Sequence, residues 1–486
     1  MEITELSPRL VWKNFHSLTQ IPRPSGHIEA VSKFLVEFGK SHGAEAFIDK
    51  AGNVVMRKGA TAGYENLETV VLQAHMDMVP QAVKESNHNF ETDPIETYID
   101  GDWVRAKGTT LGADDGMGVA AAMSILEDES VCHGPLEILI TADEETGMYG
   151  AFGLEAGTLS GKYLLNLDSE TEGEITIGCA GGQDVEVHGE YEEMEVNPEG
   201  MESLRLSIKG LKGGHSGLEI NEGRANANKL MARMLSEILE SGCGWLSSWH
   251  GGNMRNAIPR DSECILLVAK SHVEELRSIV SKCSETFNCE YAAIEDNILI
   301  SLDSCEMPSK AMPEDVQDDL VSSVLAAHDG VLRFIPTIPN IVETSSNLAI
   351  IKACDGKIDI GILARSATDS MKDYLCKSLK DCFELADFEV TFSGGYGGWQ
   401  PNTSSALVAN MSAVYEQMFG KKPIVQVCHA GLECGIIGVT YPEMDMASFG
   451  PTLLSPHTPD ERCYIPSVGK FYDFVVEMLK HIPAKG

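Results

Sequence analysis

The sequence predicts an α/β protein in which a mainly parallel sheet, packed by helices, is interrupted by an inserted α+β domain. Three observations lead to this prediction. Apolar runs alternate with helical patterns between about residues 68 and 180. Two glycine clusters bound a later stretch of different texture, and within that stretch similar patterns occur twice.

The first part of the chain contains three apolar runs that predict buried strands, at residues 70–72, 136–140 and 163–167. Between the first two runs, residues 116–126 are rich in alanine and apolar around most of the circumference. This composition predicts a helix packed under the sheet. Because alternating strands and helices are typical of βαβ units, the sheet is predicted to be doubly wound.

Glycine clusters predict hinges on either side of an inserted domain. One cluster contains Gly178, Gly181 and Gly182, and the other lies at residues 394–398. We therefore expect a first domain built from residues 1–182 and 399–486, and a lid domain at 183–398. The returning segment is predicted to form a helix at 406–419 and a strand at 423–427.

The insert carries an internal duplication at an offset of about 90 to 95 residues. Four features recur in order, and coincidence between generic strand and helix patterns stays open as the alternative. The matched pairs are strands 204–208 and 298–302, helices 225–240 and 316–327, strands 264–271 and 359–366, and the following helices that end at Phe287 and Phe383.

The charge balance argues against nucleic acid and membrane surfaces as partners. The chain has 37 Lys and Arg against 73 Asp and Glu, a formal net charge of -36, which repels phosphate backbones and anionic lipids. Its 13 cysteines include no Cys-x-x-Cys pair, a pattern expected in a reducing compartment. With an acidic start and no apolar run of about 18 residues, we expect a cytoplasmic protein.

Five short polar clusters lie where strands of the first domain are predicted to end, at residues 74–79, 108–116, 142–147, 166–170 and 454–461. Open α/β sheets place their ligands at such strand ends. Each cluster alone is compatible with a solvated acidic loop. Together they supply His, Asp, Glu, Asp and His, a donor set suited to two Zn²⁺ or similar ions with one bridging carboxylate.

Two clusters have informative spacing. On an extended segment His75 and Asp77 project from the same face, so Asp77 can accept from the imidazole and fix its tautomer. Asp114 and Asp115 stand at the start of the alanine-rich helix. Helix capping explains one of these carboxylates, whereas two carboxylates at a buried helix end are costly unless they bind cations or other charges.

These motifs resemble the di-zinc exopeptidases, a family that includes peptidase T, aminoacylase, succinyl-diaminopimelate desuccinylase and the carnosine-cleaving dipeptidases. The resemblance covers essentially the whole chain and lies closest to the dipeptidases. It is carried by His75-Met76-Asp77, Gly112-Ala113-Asp114-Asp115-Gly116, Glu144-Glu145-Thr146-Gly147, Asp168, Ser455-Pro456-His457, and by residues 8–12, 21–25 and 429–435.

The resemblance implies a role for each residue of these motifs. It implies two zinc ions, with Co²⁺ or Mn²⁺ as possible substitutes. His75 and Asp168 would hold one ion, Glu145 and His457 the other, and Asp114 would bridge them. Glu144 would be the general base for hydroxide attack on the peptide carbonyl, and Asp77 would orient His75. Asp115 is expected to be a cap or a support.

The insert and the loop after it supply the residues expected to bind substrate. The resemblance implies that His215, in a Gly-Gly-His-Ser-Gly segment, stabilises the oxyanion. It also implies substrate contacts for Asn256, Arg365, Gly431 and Glu433, with Arg365 gripping a free carboxylate. The alternatives are an exposed turn histidine and an arginine paired with a structural carboxylate. A duplicated lid leaves open both a monomer with a pseudo-dimeric lid and a homodimer.

We therefore expect a metal-dependent dipeptidase that hydrolyses unblocked dipeptides, including Xaa-His. Hydrolysis of N-acyl amino acids or of tripeptides at the same site is the alternative. A non-catalytic metal or peptide binder is disfavoured, because binding alone does not need Glu144 beside the ligand Glu145.

Overall fold

The computed structural model describes residues 2–485, and the chain divides into two compact units. The first unit comprises the chain up to Gly178, Trp399–Val427, and the chain from Leu432 onward. The second unit comprises Cys179–Gly398 and Cys428–Gly431. None of the helices within residues 2–485 is both long and apolar enough to cross a membrane.

The first unit is built on an eight-stranded sheet. Its strands lie in the order Glu45–Ile48, Val54–Lys58, Leu136–Thr141, Val70–His75, Tyr163–Asn166, Asp445–Ser448, Glu174–Cys179 and Ile424–Cys428. A smaller sheet has the order Leu453–Leu454, Arg462–Tyr464, Trp103–Ala106 and Thr97–Asp100. The strands predicted at 70–72, 136–140, 163–167 and 423–427 are confirmed.

The centre of this sheet is parallel and its flanks are antiparallel. Val70–His75 pairs in parallel with both Leu136–Thr141 and Tyr163–Asn166, and the latter pairs in parallel with Asp445–Ser448. Val54–Lys58 joins Leu136–Thr141 in the antiparallel direction. Because the central strands run the same way, the residues that follow them emerge at one edge of the sheet.

The helices of the first unit include one that is buried along almost its whole length, Ala113–Glu127. Its alanines permit close packing under the sheet, as the composition predicts. The predicted helix 406–419 is also confirmed, with Ser405 as its N-cap and left-handed Gly420 at its C-terminal end. The other helices are Arg9–Thr19, Glu29–Ser41, Tyr149–Phe152, Glu433–Thr440 and Ile465–Lys480, with a short 3₁₀ segment at Ile3–Glu5.

The second unit contains a larger, predominantly antiparallel sheet. Its main strand order is Leu299–Ser304, Met201–Lys209, Ser262–Ala269, Trp245–Gly251, Val342–Cys354, Lys357–Ser366, Gly181–Glu190 and Glu389–Tyr396, and Gly330–Phe334 pairs with Val342–Cys354. Two short ladders join Met194–Glu195 to Lys310–Ala311 and Gly214–His215 to Ala257–Ile258. Its helices are Ala227–Ser241, Val273–Glu290, Glu314–Ala326 and Asp369–Glu384, with 3₁₀ segments at Ile220–Glu222 and Lys270–His272.

The sheet order contains two similar halves, which meet where Trp249–Gly251 pairs with Ile351–Ala353. In sequence order, the strands of one half are Met201–Lys209, Trp245–Gly251, Ser262–Ala269 and Leu299–Ser304, and those of the other are Gly181–Glu190, Val342–Cys354, Lys357–Ser366 and Glu389–Tyr396. From the junction outward, the sheet in each half contains the second of these strands, then the third, the first and the fourth. The halves are nested in sequence, because the first strand of one half, Gly181–Glu190, precedes the whole of the other half. This topology agrees with the predicted helix matches and with the match of 264–271 to 359–366.

One predicted match within the insert is wrong. The strands at 204–208 and 298–302 are not equivalent strands of two halves, because they pair with each other in one half, with Leu206 opposite Leu302. The equivalent of Met201–Lys209 in the other half is Gly181–Glu190. Both candidates are alternating apolar strands, and sequence periodicity does not distinguish a neighbour in the sheet from a repeat.

Candidate metal centre

The predicted metal ligands converge at the parallel edge of the first sheet. His75 ends its strand, Asp168 follows Tyr163–Asn166, and Asp114 lies at the start of the buried helix. Their donor atoms fall into three groups whose members lie within 4.8 Å of one another. These groups are His75, Asp114 and Asp168; His75, Glu144 and Glu145; and Asp114, Glu145 and His457.

Asp114 is the residue that connects the two ends of this cluster. Its Oδ1 lies 3.1 Å from His75 Nε2, and its Oδ2 lies 3.1 Å from His457 Nε2. His75 Nε2 is also 3.6 Å from Asp168 Oδ1, and His457 Nε2 is 3.0 Å from Glu145 Oε2. The two carboxylate oxygens of Asp114 thus face different ligand groups, the arrangement that a bridging ligand requires.

The cluster is short of positive charge. Burial acts to lower the pKa of His75, but Asp168, Asp114 and Asp77 outweigh it and raise that pKa well above its usual value. Hydrogen bonds to Asp114 and Glu145 raise the pKa of His457 to about 11.

Two carboxyl groups of the cluster also have raised pKa values, which for a carboxyl group means that the charged form is disfavoured. Burial, aided by nearby carboxylates, raises the pKa of Asp168 well above its usual range, and the same holds for Glu144. Two imidazoles cannot balance four converging carboxylates in a low-dielectric site, so this donor set fits bound divalent cations.

Asp77 links His75 to the loop that carries the two glutamates. His75 Nδ1 lies 3.5 Å from Asp77 Oδ1 and 3.2 Å from the Asp77 carbonyl oxygen. The Asp77 carboxylate also accepts from the backbone N–H groups of Glu144 at 3.0 Å and Glu145 at 3.2 Å, and from Ser25 Oγ at 2.6 Å. It therefore fixes the imidazole and the glutamate loop together.

Arg23 joins two loops of the site, the loop after His75 and the loop that precedes Asp114. Its guanidinium is buried and donates to the carbonyl oxygens of Met76 at 2.8 Å, Asp77 at 3.1 Å, and Gly112. A Cβ at Gly112 would lie 2.7 Å from Arg23 Nη2, and Gly112 has a φ of 67°. Glycine is thus required here both for backbone conformation and for close approach of the guanidinium.

Glu461 forms a cradle for the loop that delivers Asp114. Its buried carboxylate accepts from the backbone N–H groups of Leu111 at 2.7 Å, Gly112 at 3.0 Å and Ala113 at 2.8 Å. These donors lie at the N-terminal end of the buried helix, where a negative charge is favourable. Separately, Asp115 Oδ1 accepts from Gly118 N at 3.0 Å, which makes it the expected helix cap.

Glu433 lies in the interior of the first unit, with an exposed fraction of 0%. Its Oε2 accepts from Gln73 Nε2 and Thr141 Oγ1, both at 2.6 Å. Burial raises the pKa of Glu433 to about 7. This enclosed position disagrees with the substrate contact that the family resemblance implies for Glu433, because a side chain with no exposed surface is not accessible to a substrate in this conformation.

In the second unit, the structure places His215 close to Arg365. His215 Nδ1 accepts from the backbone N–H groups of Gly217 and Leu218, each at 3.1 Å, so the ring proton of the neutral form lies on Nε2. Burial, together with the charge of Arg365, lowers the pKa of His215 to about 4. At neutral pH His215 therefore offers one N–H donor, the chemistry that an oxyanion needs.

Arg365 is only 5% exposed, and no carboxylate within the described part of the chain forms an ion pair with it. Its Nη1 donates to Tyr396 Oη at 3.1 Å, and its Nε lies 3.4 Å from Ser216 Oγ. Asn256 is nearby, since its carbonyl accepts from Ser216 N at 2.8 Å. The guanidinium of Arg365 thus retains the capacity to bind an anion. Gly431, the remaining predicted substrate residue, also belongs to the second unit.

The sequence motifs indicate no role for two residues that support these sites. Arg23 lies in the matching segment 21–25, and Glu461 lies in the polar cluster 454–461. Their partners are backbone groups distant in sequence, which no local pattern reveals. The signal for Arg23 was the pair of glycines at 112 and 116, because each would place a Cβ within 2.7 Å of its guanidinium.

Comparison with known proteins identifies the family. The family model described as Peptidase family M20/M25/M40 matches residues 71–481. The chain belongs to this family. It is also 44% identical over 484 residues to the cytosol non-specific dipeptidase of Escherichia coli (strain K12), with 100% of each chain covered.

Solved structures agree with this membership of peptidase family M20/M25/M40. The aminoacylhistidine dipeptidase from Vibrio alginolyticus matches with a TM-score of 0.92 and 41% identity, covering 100% of this chain and 99% of that chain. The aminopeptidase PepT from Bacillus cereus ATCC 10987, at 16% identity and a TM-score of 0.58, shares the fold over 98% of this chain and 99% of its own. The predicted family resemblance, peptide-hydrolase class and α/β fold with an inserted lid are confirmed.

Replacing Glu461 by Gln should destabilise the Asp114 loop of this M20/M25/M40 peptidase. The amide would turn a donor toward backbone N–H groups that now share a carboxylate, and each buried group left unsatisfied costs about 1–3 kcal/mol. Urea unfolding of the two proteins measures the difference. Asp460→Asn is the control, since the Asp460 side chain is 81% exposed. Equal stability of the two variants would contradict the cradle.

Acidification should destabilise the second unit through His429. Burial, with the charges of Arg365 and His215, lowers the pKa of His429 to about 3. The folded chain therefore keeps this ring neutral at pH 5, whereas the unfolded chain protonates it below about pH 6.5. Stability is lost as the pH falls through that value, by about 2 kcal/mol between pH 7 and pH 5.

Urea unfolding of wild type and His429→Gln at pH 7 and pH 5 checks this expectation. The variant should lose about 2 kcal/mol less than wild type over this interval. His250→Gln, which changes an exposed histidine of the same unit, should follow wild type. A parallel pH dependence of His429→Gln and wild type would contradict the assignment of a neutral buried ring.

Proposed function

We propose that this peptidase is a two-metal dipeptidase that hydrolyses unblocked dipeptides, including those of the Xaa-His type. The observation that carries the proposal is the position of Asp114, whose two oxygens face His75 and His457 in separate donor groups. The names of the two full-length relatives, a cytosol non-specific dipeptidase and an aminoacylhistidine dipeptidase, support the choice of substrate. The first of these names also supports a cytoplasmic location.

We assign His75 and Asp168 to one metal ion, Glu145 and His457 to the other, and Asp114 to both. Imidazole nitrogen and carboxylate oxygen suit zinc, which we propose as the metal. When bound, two divalent cations supply positive charge that polarises the peptide carbonyl and lowers the pKa of water. Their charge also compensates the converging carboxylates, which the two imidazoles alone leave in excess.

Glu144 is assigned the proton transfers. Its carboxyl group lies within the donor cluster, and its pKa is raised by burial and by the charges of Glu433, Glu145 and Asp114. A carboxylate of raised basicity can take a proton from the attacking water and then deliver it to the leaving amine. The Asp77 carboxylate accepts a hydrogen bond from the backbone N–H of Glu144 at 3.0 Å, which fixes the backbone that carries the proposed general base.

The second unit supplies the groups that we assign to substrate recognition. Arg365 is a nearly buried guanidinium that lacks a carboxylate partner among residues 2–485, and a dipeptide presents a free carboxylate that can fill this role. His215 is assigned the stabilisation of the oxyanion through its Nε2–H. Asn256 and Gly431 are proposed to line the same substrate site.

Release of histidine from an unblocked Xaa-His dipeptide tests the reaction. The zinc-loaded protein should turn over, and chelation should abolish turnover. Glu144→Gln should keep its metal while kcat falls about a hundredfold to ten-thousandfold, because the proton acceptor is lost. Glu155→Gln is the matched control, since the Glu155 side chain is 60% exposed.

Two outcomes of that experiment would contradict the proposal. Full turnover by metal-loaded Glu144→Gln would exclude Glu144 as the general base. A metal-loaded wild type that ignores every free dipeptide but hydrolyses an N-acetyl amino acid would favour the acyl amino acid hydrolase instead.

Arg365→Met should remove the preference for a free C-terminal carboxylate. Wild type should hydrolyse a dipeptide better than its C-terminal amide, since a charge-assisted hydrogen bond contributes about 1.5–3 kcal/mol, or about tenfold to a hundredfold in kcat/KM. The variant should treat the two substrates alike. Arg233→Met is the control, because Arg233 is already paired with Glu290 at 2.7 Å. A preference retained by Arg365→Met would refute the assignment.

A further inference from the structure

Glu433 occupies a position in the first unit that the proposed reaction does not yet use. It is the first residue of the helix Glu433–Thr440, and its side chain is fully buried. Both hydrogen bonds of its carboxyl group fall on one oxygen, Oε2, which accepts from Gln73 Nε2 and Thr141 Oγ1. Within residues 2–485, no group donates to Oε1.

The partners of Glu433 lie on the strands that carry the donor cluster. Gln73 is two residues before His75 on Val70–His75, and Thr141 is the last residue of the strand that precedes Glu144. Gln73 Oε1 in turn accepts from Asn166 Nδ2, at the end of the strand before Asp168. We call Glu433, Gln73, Thr141 and Asn166 the buried clasp.

The buried clasp places a carboxyl group in the interior, where its burial is unfavourable in free energy. A buried carboxyl group costs free energy that two hydrogen bonds only partly return, and an apolar side chain at position 433 would be cheaper. Its geometry, however, does something that an apolar contact cannot do. Hydrogen bonds are directional, so the clasp sets the register of three adjacent strands two or three residues before the residues that they deliver.

We propose that Glu433 is a positioning residue, whose carboxyl group fixes the ends of the three strands that carry His75, Glu144 and Asp168. This inference rests on the proposed function in that these side chains are taken as ligands and general base. It replaces the substrate contact that sequence resemblance implied for Glu433. The two roles predict different kinetics, because a substrate contact changes KM whereas misplaced ligands change metal affinity and kcat.

The test compares Glu433→Ala, Glu433→Gln and Thr141→Val in the full-length chain. Zinc affinity is measured without substrate by competition with a chromogenic chelator, and kcat and KM are measured on an Xaa-His dipeptide at saturating zinc. Glu433→Ala should bind zinc about tenfold to a hundredfold more weakly and lose kcat, with KM within about twofold of wild type. Glu443→Ala, at an exposed glutamate ten positions away, should match wild type.

The remaining variants make the test specific to positioning. Glu433→Gln keeps an oxygen that can accept from Gln73 and Thr141, so it should recover most of the lost zinc affinity and kcat. Thr141→Val removes one donor and should change the same quantities in the same direction by a smaller factor. Combined with Glu433→Ala, it should add almost nothing, since both changes break one network. If Glu433→Ala does not fold, Thr141→Val and Glu433→Gln still provide the comparison.

Two results would overturn the inference. A raised KM in Glu433→Ala with unchanged zinc affinity and kcat would restore the substrate contact. Unchanged zinc affinity, kcat and KM in Glu433→Ala would remove any role in the site. These results differ from a failure of the proposed function. If wild type does not hydrolyse dipeptides, the zinc affinities of the variants, which are measured without substrate, still test the buried clasp.

Discussion

The structure of the first unit depends on a concentration of buried negative charge around Asp114. Four carboxylates and two imidazoles meet at one edge of the sheet, and Asp114 contacts an imidazole with each oxygen. Such a cluster repels itself unless cations occupy it, so the surrounding backbone must hold it in place. Arg23 provides part of this support by donating to carbonyl oxygens of two loops, the loop after His75 and the loop that precedes Asp114. Glu461 supports the second of these loops as well, because it accepts from its backbone N–H groups. Asp77 secures the glutamate loop in the same manner.

Fold and site are connected through the parallel centre of the sheet. Three neighbouring strands deliver His75, the glutamate loop and Asp168 to one edge, and the buried helix brings Asp114 to the same place. The helix must lie close beneath the sheet, which its alanines permit. The hydrogen bonds of Gln73 and Thr141 to Glu433 lie two to three residues before the proposed ligands and general base on the strands that lead to them. Metal binding chemistry and core packing are therefore not separable in this unit, since the same strands serve both.

The sequence predicted the parts of this arrangement that are local. Strand ends, the helix at 116–126 and the convergence of the predicted ligands all follow from short patterns whose physical meaning does not depend on distant residues. It failed where an assignment depends on three-dimensional pairing. The strand at 298–302 was matched to 204–208, its own neighbour in the sheet, because the first strand of the second half comes before the whole first half in sequence. The family resemblance implies a substrate contact for Glu433, and nothing in the sequence of its segment indicates Gln73 or Thr141 as its partners.

The second unit contains a buried positive charge, whereas the first unit contains an excess of buried negative charge. In a chain with 73 acidic and 37 basic side chains, an arginine buried without a carboxylate partner within the described residues requires that acidic side chains be kept away from it. The neighbours of Arg365 are instead neutral: Tyr396 and Ser216 accept its hydrogen bonds, and the pKa values of His215 and His429 are lowered, so both rings are uncharged at neutral pH. These neighbours leave the positive charge uncompensated. The proposed dipeptide substrate matches this environment, because its carboxylate would supply the missing anion and its small size would require no further basic surface.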